Sequence, residues 1–524
     1  MEKGGAAVTV LPAENWPEPG SAAERKAFAS LQARLGNQFR DIFPDRVAPR
    51  TVVVLPSLSL DEDILSRVTG MHHYEERMLG MLMLLRMPRT RLIYLTSEPL
   101  SDTIVDYYLH LLQGVPAAHA RARLTLLSCF DGGNRPLTEK ILARPRLMGR
   151  LKAAIGDPAA AHISAYTVSP LERTLAVRLG APLYGCDPDL LPLGTKSGGR
   201  RLMREAGARV PDGAEDLWSA GDIAAALAAL KARDPGLRRA VVKLNEGFSG
   251  EGNAVFHFDG APTGPALQPW IADALSRLAF EAPAMTWPAY LTKVGAMGAI
   301  VEAFIEGAKK RSPSVQFRID PLGEVELIST HDQVLGGPSG QVYLGCHFPA
   351  DTAYRLDIQA EGMKVARALA ARGVLGRFSV DFVSVREDAG WRNHAIEINL
   401  RKGGTTHPFL MLQFLTGGAF RPDDGLFHTQ TGQPRYYFAS DNLEAPHYRG
   451  LTPADLVDIS VLNELHYDGA RHEGVVFHLI GALSEFGKLG VVCVGATPAR
   501  AEAFYRRAVE ILDRERSIGP STAL

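Results

Sequence analysis

The chain has 524 residues, 46% apolar and 22% charged, with a formal net charge of -1. That length exceeds one ordinary core and predicts several lobes. The charge balance gives no electrostatic reason to expect nucleic acid or an anionic membrane as partner. The four cysteines (Cys129, Cys186, Cys346 and Cys493) form no CxxC pair, which argues against disulfide scaffolds and zinc sites and fits a reducing cytoplasm.

Residues 1–22, rich in Gly, Ala, Pro and Glu, read as a loose, disordered leader without a signal-peptide pattern. The apolar run Met78–Met87 is too short to span a bilayer and is broken by Arg86. A helical pattern over 23–43 precedes an alternation of strands and helices. Strands are predicted at 51–55, 92–95, 124–127 and near 162–168, and helices at 73–85, 102–112, 138–155 and 171–179. Such alternation predicts an α/β lobe over 23–190. Its first strand is followed by Pro56-Ser57-Leu58-Ser59-Leu60, which holds no glycine fingerprint for a nucleotide. The lobe therefore reads as scaffold with part of a substrate pocket.

From about Pro192 the texture changes to glycine-punctuated strands and short helices, ending near Thr416. Lys196 stands just before a predicted helix 199–205; alone it reads as a solvated lysine. Next, a strand delivers Lys243 into the glycine-rich loop Gly247–Gly252, and a second strand closes the hairpin. Glycines let backbone N–H groups approach phosphate oxygens, and a lysine on the adjoining strand adds a point charge. The competing reading is a flexible hairpin with an exposed lysine. The run 299–307, with Glu302, Ile305 and Glu306, suits a strand entering a linker whose backbone could pair with an adenine edge. A hairpin over 314–333 ends in His331 and Asp332, which suit substrate contact or a satisfied hydrogen-bonded pair equally.

The most informative feature is the acidic couplet of Asp381 and Glu397-Ile398-Asn399 on two strands joined by the polar turn 386–390. Strand alternation places Glu397 and Asn399 on one face, with Ile396 and Ile398 on the other. Asp381 on an antiparallel partner would complete three oxygen ligands. Oxygen-only donors suit Mg²⁺, with Mn²⁺ an admissible substitute. The competing reading is charged residues on the wet faces of edge strands. The tail 417–524 carries a polar loop 420–433, strands near 475–478 and 489–494 and an amphipathic helix 498–514.

In this order and spacing, these elements resemble the ATP-grasp superfamily of carboxylate–amine ligases. Residues 242–253 (VKLNEGFSGEGN) and 397–408 (EINLRKGGTTHP) are similar to those of the pheganomycin-type peptide ligases. The resemblance implies an α/β and α+β architecture: a pre-ATP-grasp α/β domain over 23–190, a two-lobed ATP-grasp domain over 191–416 and a small α+β C-terminal domain over 417–524. It implies that Lys196 and Lys243 hold ATP phosphates under a flap containing Gly247, Ser249, Gly250 and Gly252. It assigns Glu302 and Ile305 to the adenine linker, Glu306 to the ribose, and Asp381, Glu397 and Asn399 to Mg²⁺. Arg401 and the Gly403 N–H would stabilise the reacting carboxyl oxygen, and His331 or His407 would receive the amine proton. Relatives often carry an arginine where this chain has Ser379, so that Arg401 or Arg377 would supply the charge.

The implied reaction joins a small-molecule or peptidyl carboxylate to an amine, an amino acid or peptide, through an acyl phosphate, with release of ADP and phosphate. A homodimer is plausible on base rates, though nothing in the chain proves it. Two other outcomes remain open at this point: a phosphotransferase that stops at γ-phosphate transfer to a hydroxyl, and a non-catalytic nucleotide-binding regulatory protein.

Overall fold

In the computed structural model, residues 16–59, 65–66, 68–247, 252–282, 284–336 and 342–515 are described. Ser249 and Gly250 of the expected flap, and most of the expected leader, lie outside them. The helix Ala22–Asp41 starts where Ser21 accepts a hydrogen bond from the Glu24 N–H, an N-cap that satisfies an orphan donor of the first turn. Four strands follow: β1 (Arg50–Leu55), β2 (Thr90–Thr96), β3 (Leu124–Ser128) and β4 (Ala161–Ala165). They form a parallel sheet in the order β3-β2-β1-β4. Every residue of β1 and β4 is buried, as a sheet covered on both faces requires. The predicted helix 138–155 is two helices, Leu137–Leu142 and Pro145–Ile155, because Pro145 lacks the N–H that would continue the first.

A small lobe carries β5 (Gly213–Leu217), β6 (Arg239–Leu244), β7 (Asn253–His257), β8 (Ala279–Phe280) and β9 (Ala299–Ala303). Its sheet order is β5-β9-β6-β7-β8, antiparallel throughout. Residues of β6 alternate between half-buried and buried. Ala240, Val242 and Leu244 enter the lobe's core while Lys243 faces the other way.

The remaining strands build one large sheet. They are β10 (Lys310–Arg311), β11 (Pro313–Ile319), β12 (Val325–Gly336), β13 (Val342–Phe348), β14 (Gly376–Glu387), β15 (Gly390–Asn399), β16 (Ala419–Arg421), β17 (Leu426–His428), β18 (Pro434–Glu444), β19 (Gly474–His478) and β20 (Lys488–Gly495). Its spine runs β15-β14-β11-β12-β13-β18, and β18 then pairs with both β17 and β20. Part of the expected polar loop 420–433 is the short hairpin β16–β17. The C-terminal strands thus extend the same sheet that carries Asp381, and helix Pro498–Glu515 packs its apolar face on them.

One apolar core joins the ends of the chain. Val52, Leu79, Leu82 and Tyr94 share it with Phe409, Val476, Val492 and Leu512. The 3₁₀-type helix Met71–Arg86 is apolar on more than one side because it lies between the N-terminal sheet and the C-terminal strands. No helix among the described residues is long and apolar enough to cross a membrane.

Several histidines are trapped in these cores as neutral rings. Burial pulls His162, His331 and His478 down to about 3, whereas a histidine in a free chain titrates at about 6.5. Below pH ~6.5 the unfolded chain therefore binds protons that the folded chain refuses, and stability falls as pH falls toward ~3 by about 1.4 kcal/mol per pH unit for each such ring. We expect the urea midpoint to drop steeply between pH 6.5 and 5, and His331→Gln to show a shallower slope than the wild type. Equal slopes for the two proteins would contradict the neutral assignment of His331.

Candidate active site

The large sheet and the small lobe enclose a cleft of about 800 Å³. Its floor is the β14–β15 hairpin, where Asp381 lies directly opposite Glu397 and Ser379 opposite Asn399. The Asn399 amide donates to Asp381 Oδ2 at 3.1 Å. A bulge between Asp381 and Phe382 leaves Ile396 as an extra residue, and Ile396 also lines the cleft rather than facing away from it. Only Ile398 of the two enters the core, 2% exposed. Bulges re-aim side chains beside active sites in this way.

The two carboxylates are electrically unequal. Burial and the facing Glu397 push the Asp381 carboxyl up to about 6. Burial also pushes Glu397 up, but Lys196, Arg401 and Lys243 together hold it below its usual range. Lys196 forms an ion pair with Glu397. It sits at the first position of the helix Lys196–Glu205, capped by Thr195, whose hydroxyl accepts from the Gly198 N–H at 3.1 Å. The start of that helix is tied to the β6 loop: Asn245 O accepts from the Lys196 N–H at 3.1 Å and Asn245 Oδ1 from the Ser197 N–H at 2.9 Å. The helix and the hairpin loop are thereby fixed to each other, which places both lysines over one cleft.

Lys243 is paired with Glu302 at 2.6 Å, and the other Glu302 oxygen takes Arg200 at 2.6 Å. Burial would raise the Glu302 carboxyl, yet Lys243 and Arg200 hold it low. Glu302 lines the cleft, as do Ile305, Gly247, Gly252 and Arg401. Its side chain is already committed to two cations. Arg200 carries no motif and was invisible to sequence reading; only the fold brings it to Glu302.

Other expectations need correction. Glu306, expected at the ribose, forms a two-point pair with Arg239 at 3.0 and 2.7 Å and does not line the cleft. His331 is fully buried against the Tyr437 hydroxyl at 2.5 Å. His407 is 5% exposed, its ring tilted 46° to that of His478 with centres 4.4 Å apart. Burial first, then His478, drives its pKa far below normal. Neither ring lines the cleft, so neither is placed to take a proton from an amine there. The Gly403 N–H donates to Thr406 Oγ1 at 3.0 Å, although Gly403 itself borders the cleft. Of the two arginines expected to replace the residue missing at Ser379, Arg401 lines the cleft. Arg377 is buried elsewhere beside Arg318, and burial then Arg318 lower it to about 10.

The donor set of Asp381, Glu397 and Asn399 is all oxygen and nitrogen of side-chain carboxyl and amide groups, without imidazole or thiolate. A hard divalent cation such as Mg²⁺ fits it, and softer metals do not.

A two-lobed cleft bordered by Gly247 and Gly252, with two lysines and an acidic strand pair converging in it, defines an enzyme of the ATP-grasp class. The chain belongs to the ATP-grasp ligases, which couple ATP to the joining of a carboxylate and an amine. Among its relatives is the L-propargylglycine–L-glutamate ligase of Streptantibioticus cattleyicolor, 32% identical over 473 residues, 88% of this chain and 94% of that protein. The IQ motif-containing protein H of Danio rerio is 26% identical over 68% of this chain, which spans 38% of that protein's length. The family description "IQCH-like, ATP-grasp" matches residues 191–261 and 267–421, and "PGM1 C-terminal domain" matches 455–508. In fold alone, the chain resembles the biotin carboxylase–β,γ-ATP complex from Campylobacter jejuni (TM-score 0.51, 13% identity, 90% of this chain and 95% of that one). It also resembles the biotin carboxylase domain of Hydrogenobacter thermophilus 2-oxoglutarate carboxylase, solved with MgADP, ADP and bicarbonate (TM-score 0.53, 14% identity, 88% and 89% coverage).

Proposed function

We propose that this cleft activates a carboxylate as an acyl phosphate and passes it to an amine, giving an amide or peptide bond with release of ADP and phosphate. The observation that carries the reading is the convergence, in one cleft, of Lys196 and Lys243 from two different elements onto the side that holds Asp381, Glu397 and Asn399. Lys243 and Lys196 bind the phosphates, exchanging their present carboxylate partners for phosphate oxygens. Asp381, Glu397 and Asn399 would hold Mg²⁺, which when bound neutralises phosphate charge. Gly247 and Gly252 belong to the hairpin that covers the phosphates, and exclusion of water protects the acyl phosphate from hydrolysis. Ile305 and the backbone beside Glu302 border the adenine end. Arg401 faces the negative oxygen that develops in both steps. The domain limits that accompany this reading are 23–190, 191–416 and 417–524.

The test is ADP release over a panel of carboxylates and amines, with mass detection of the condensed product. Free phosphate with an amide product supports ligation; phosphate retained on a product would identify a phosphotransferase instead. Lys196→Met should raise the KM for ATP about tenfold or more, as loss of one charge-assisted phosphate contact implies. It should lower Tm only modestly, because Glu397 keeps Arg401 and Lys243 as counter-charges. An unchanged KM for ATP would remove Lys196 from the phosphate site.

A further inference from the structure

Beyond the lysines and the acidic strand pair, the cleft is lined by residues from outside those segments. Arg77 and Tyr166 come from the N-terminal lobe and Asp441 from β18, and all three line the same cleft as Lys196 and Glu397. Arg77 Nη2 is paired with Asp441 Oδ2 at 2.5 Å, and Arg77 Nη1 donates to the Tyr166 hydroxyl at 3.1 Å. The guanidinium also lies over the Tyr74 ring, 4.0 Å from its centre. The pair is deeply buried, with 14% of the Arg77 side chain and 7% of the Asp441 side chain exposed.

Two polar atoms of this pair are left over. Arg77 Nε, a donor, and Asp441 Oδ1, an acceptor, are both buried without a hydrogen-bond partner. Buried charged groups carry a desolvation cost that unused donors and acceptors do not recover, so such valences mark an unfinished site. The pair is also neutral as a whole. A ligand bearing only a cation or only an anion would leave one uncompensated charge in a buried place, whereas a zwitterion leaves none. One free donor on a cation and one free acceptor on an anion match the carboxylate and ammonium of one α-amino acid. Beside them Tyr343 packs against Gly404, where an added Cβ would lie 2.9 Å from the ring, and Tyr343 and Leu58 supply apolar wall for a side chain.

We propose that the Arg77–Asp441 pair is the recognition site for a free α-amino acid, its ammonium on Asp441 and its α-carboxylate on Arg77. This deepens the ligase reading and rests on it. An α-carboxylate held by Arg77 is withdrawn from activation, so this amino acid is the amine donor: its ammonium gives a proton to Asp441, the freed amine attacks the acyl phosphate as phosphate leaves, and the product keeps its α-carboxylate. A peptide N-terminus, which has the ammonium but no α-carboxylate, is excluded as the preferred amine.

The experiment uses the full chain with ADP and Mg²⁺ and measures calorimetric binding of the twenty proteinogenic L-amino acids. The tightest binder is then compared with its α-amide, its decarboxylated amine and a dipeptide that begins with it. The amino acid should bind at least tenfold more tightly than each of the three. Asp441→Asn and Arg77→Lys should each weaken it at least tenfold while ADP affinity stays within twofold, which also shows that the variants fold. No amino acid binding, equal binding of the α-amide, or parallel loss of ADP affinity would overturn the proposal. Because binding is read without turnover, failure here is separable from failure of the ligase reading, which would show as absence of ADP release with any acid–amine pair.

Discussion

Glu397→Gln lowers kcat by about 10³-fold, corresponding to about 4 kcal/mol of lost transition-state stabilisation, with the fold retained. Glutamine keeps the shape and one oxygen but removes the negative charge that faces Lys196 and completes the acidic pair with Asp381. A neutral amide leaves Lys196 without its counter-charge and leaves the acidic strand pair with a single carboxylate. The cation would then be held by one carboxylate instead of two beside the substrate phosphates, which weakens its hold on the phosphates as they react. The substitution is mild for stability, because it also removes the like-charge repulsion that raises Asp381. Circular dichroism and Tm should therefore match the wild type within a few degrees while single-turnover ADP formation collapses. A variant that forms ADP within tenfold of the wild-type rate would disprove the assignment of Glu397 to the metal.

What could be read in the sequence was what lies close along the chain. The Asp381 and Glu397 strands are neighbours joined by a short turn, and apolar alternation sets their register apart from one bulge at Ile396. Lys243 and its hairpin, and the βαβ alternation of the first lobe, are local in the same sense. The errors came where partners are remote. Glu306 reads as a ribose contact because nothing nearby in the chain shows Arg239, 67 positions away, and the choice between substrate contact and a satisfied hydrogen bond at His331 turns on Tyr437, 106 positions away. Arg77 and Asp441, separated by 364 positions, carry no local periodicity that could have paired them. The polar stretch 420–433 hid a hairpin because strands this short, three residues each, hold less than two alternation periods.

Glu302→Gln should have the largest effect on stability, about 3–5 kcal/mol, together with a raised KM for ATP. The residue is 2% exposed and holds Lys243 on one oxygen and Arg200 on the other. Arg200 is itself buried and gives a second contact to Glu215 at 2.9 Å, so removing Glu302 does not free it to reach water. The buried cluster then carries two cations against one remaining acid, and the unpaired charge rather than the missing hydrogen bond dominates the loss. Because Arg200 belongs to the helix that begins with Lys196, and Lys243 to β6, the same carboxylate ties the helix to the small lobe. Its loss should therefore loosen the relative placement of the two phosphate-binding lysines as well as lower Tm. Saturating ATP should recover part of the lost stability, since phosphate oxygens offer Lys243 the negative partner that glutamine lacks. A Glu302→Gln protein with wild-type Tm and wild-type KM for ATP would show that Lys243 does not depend on this carboxylate.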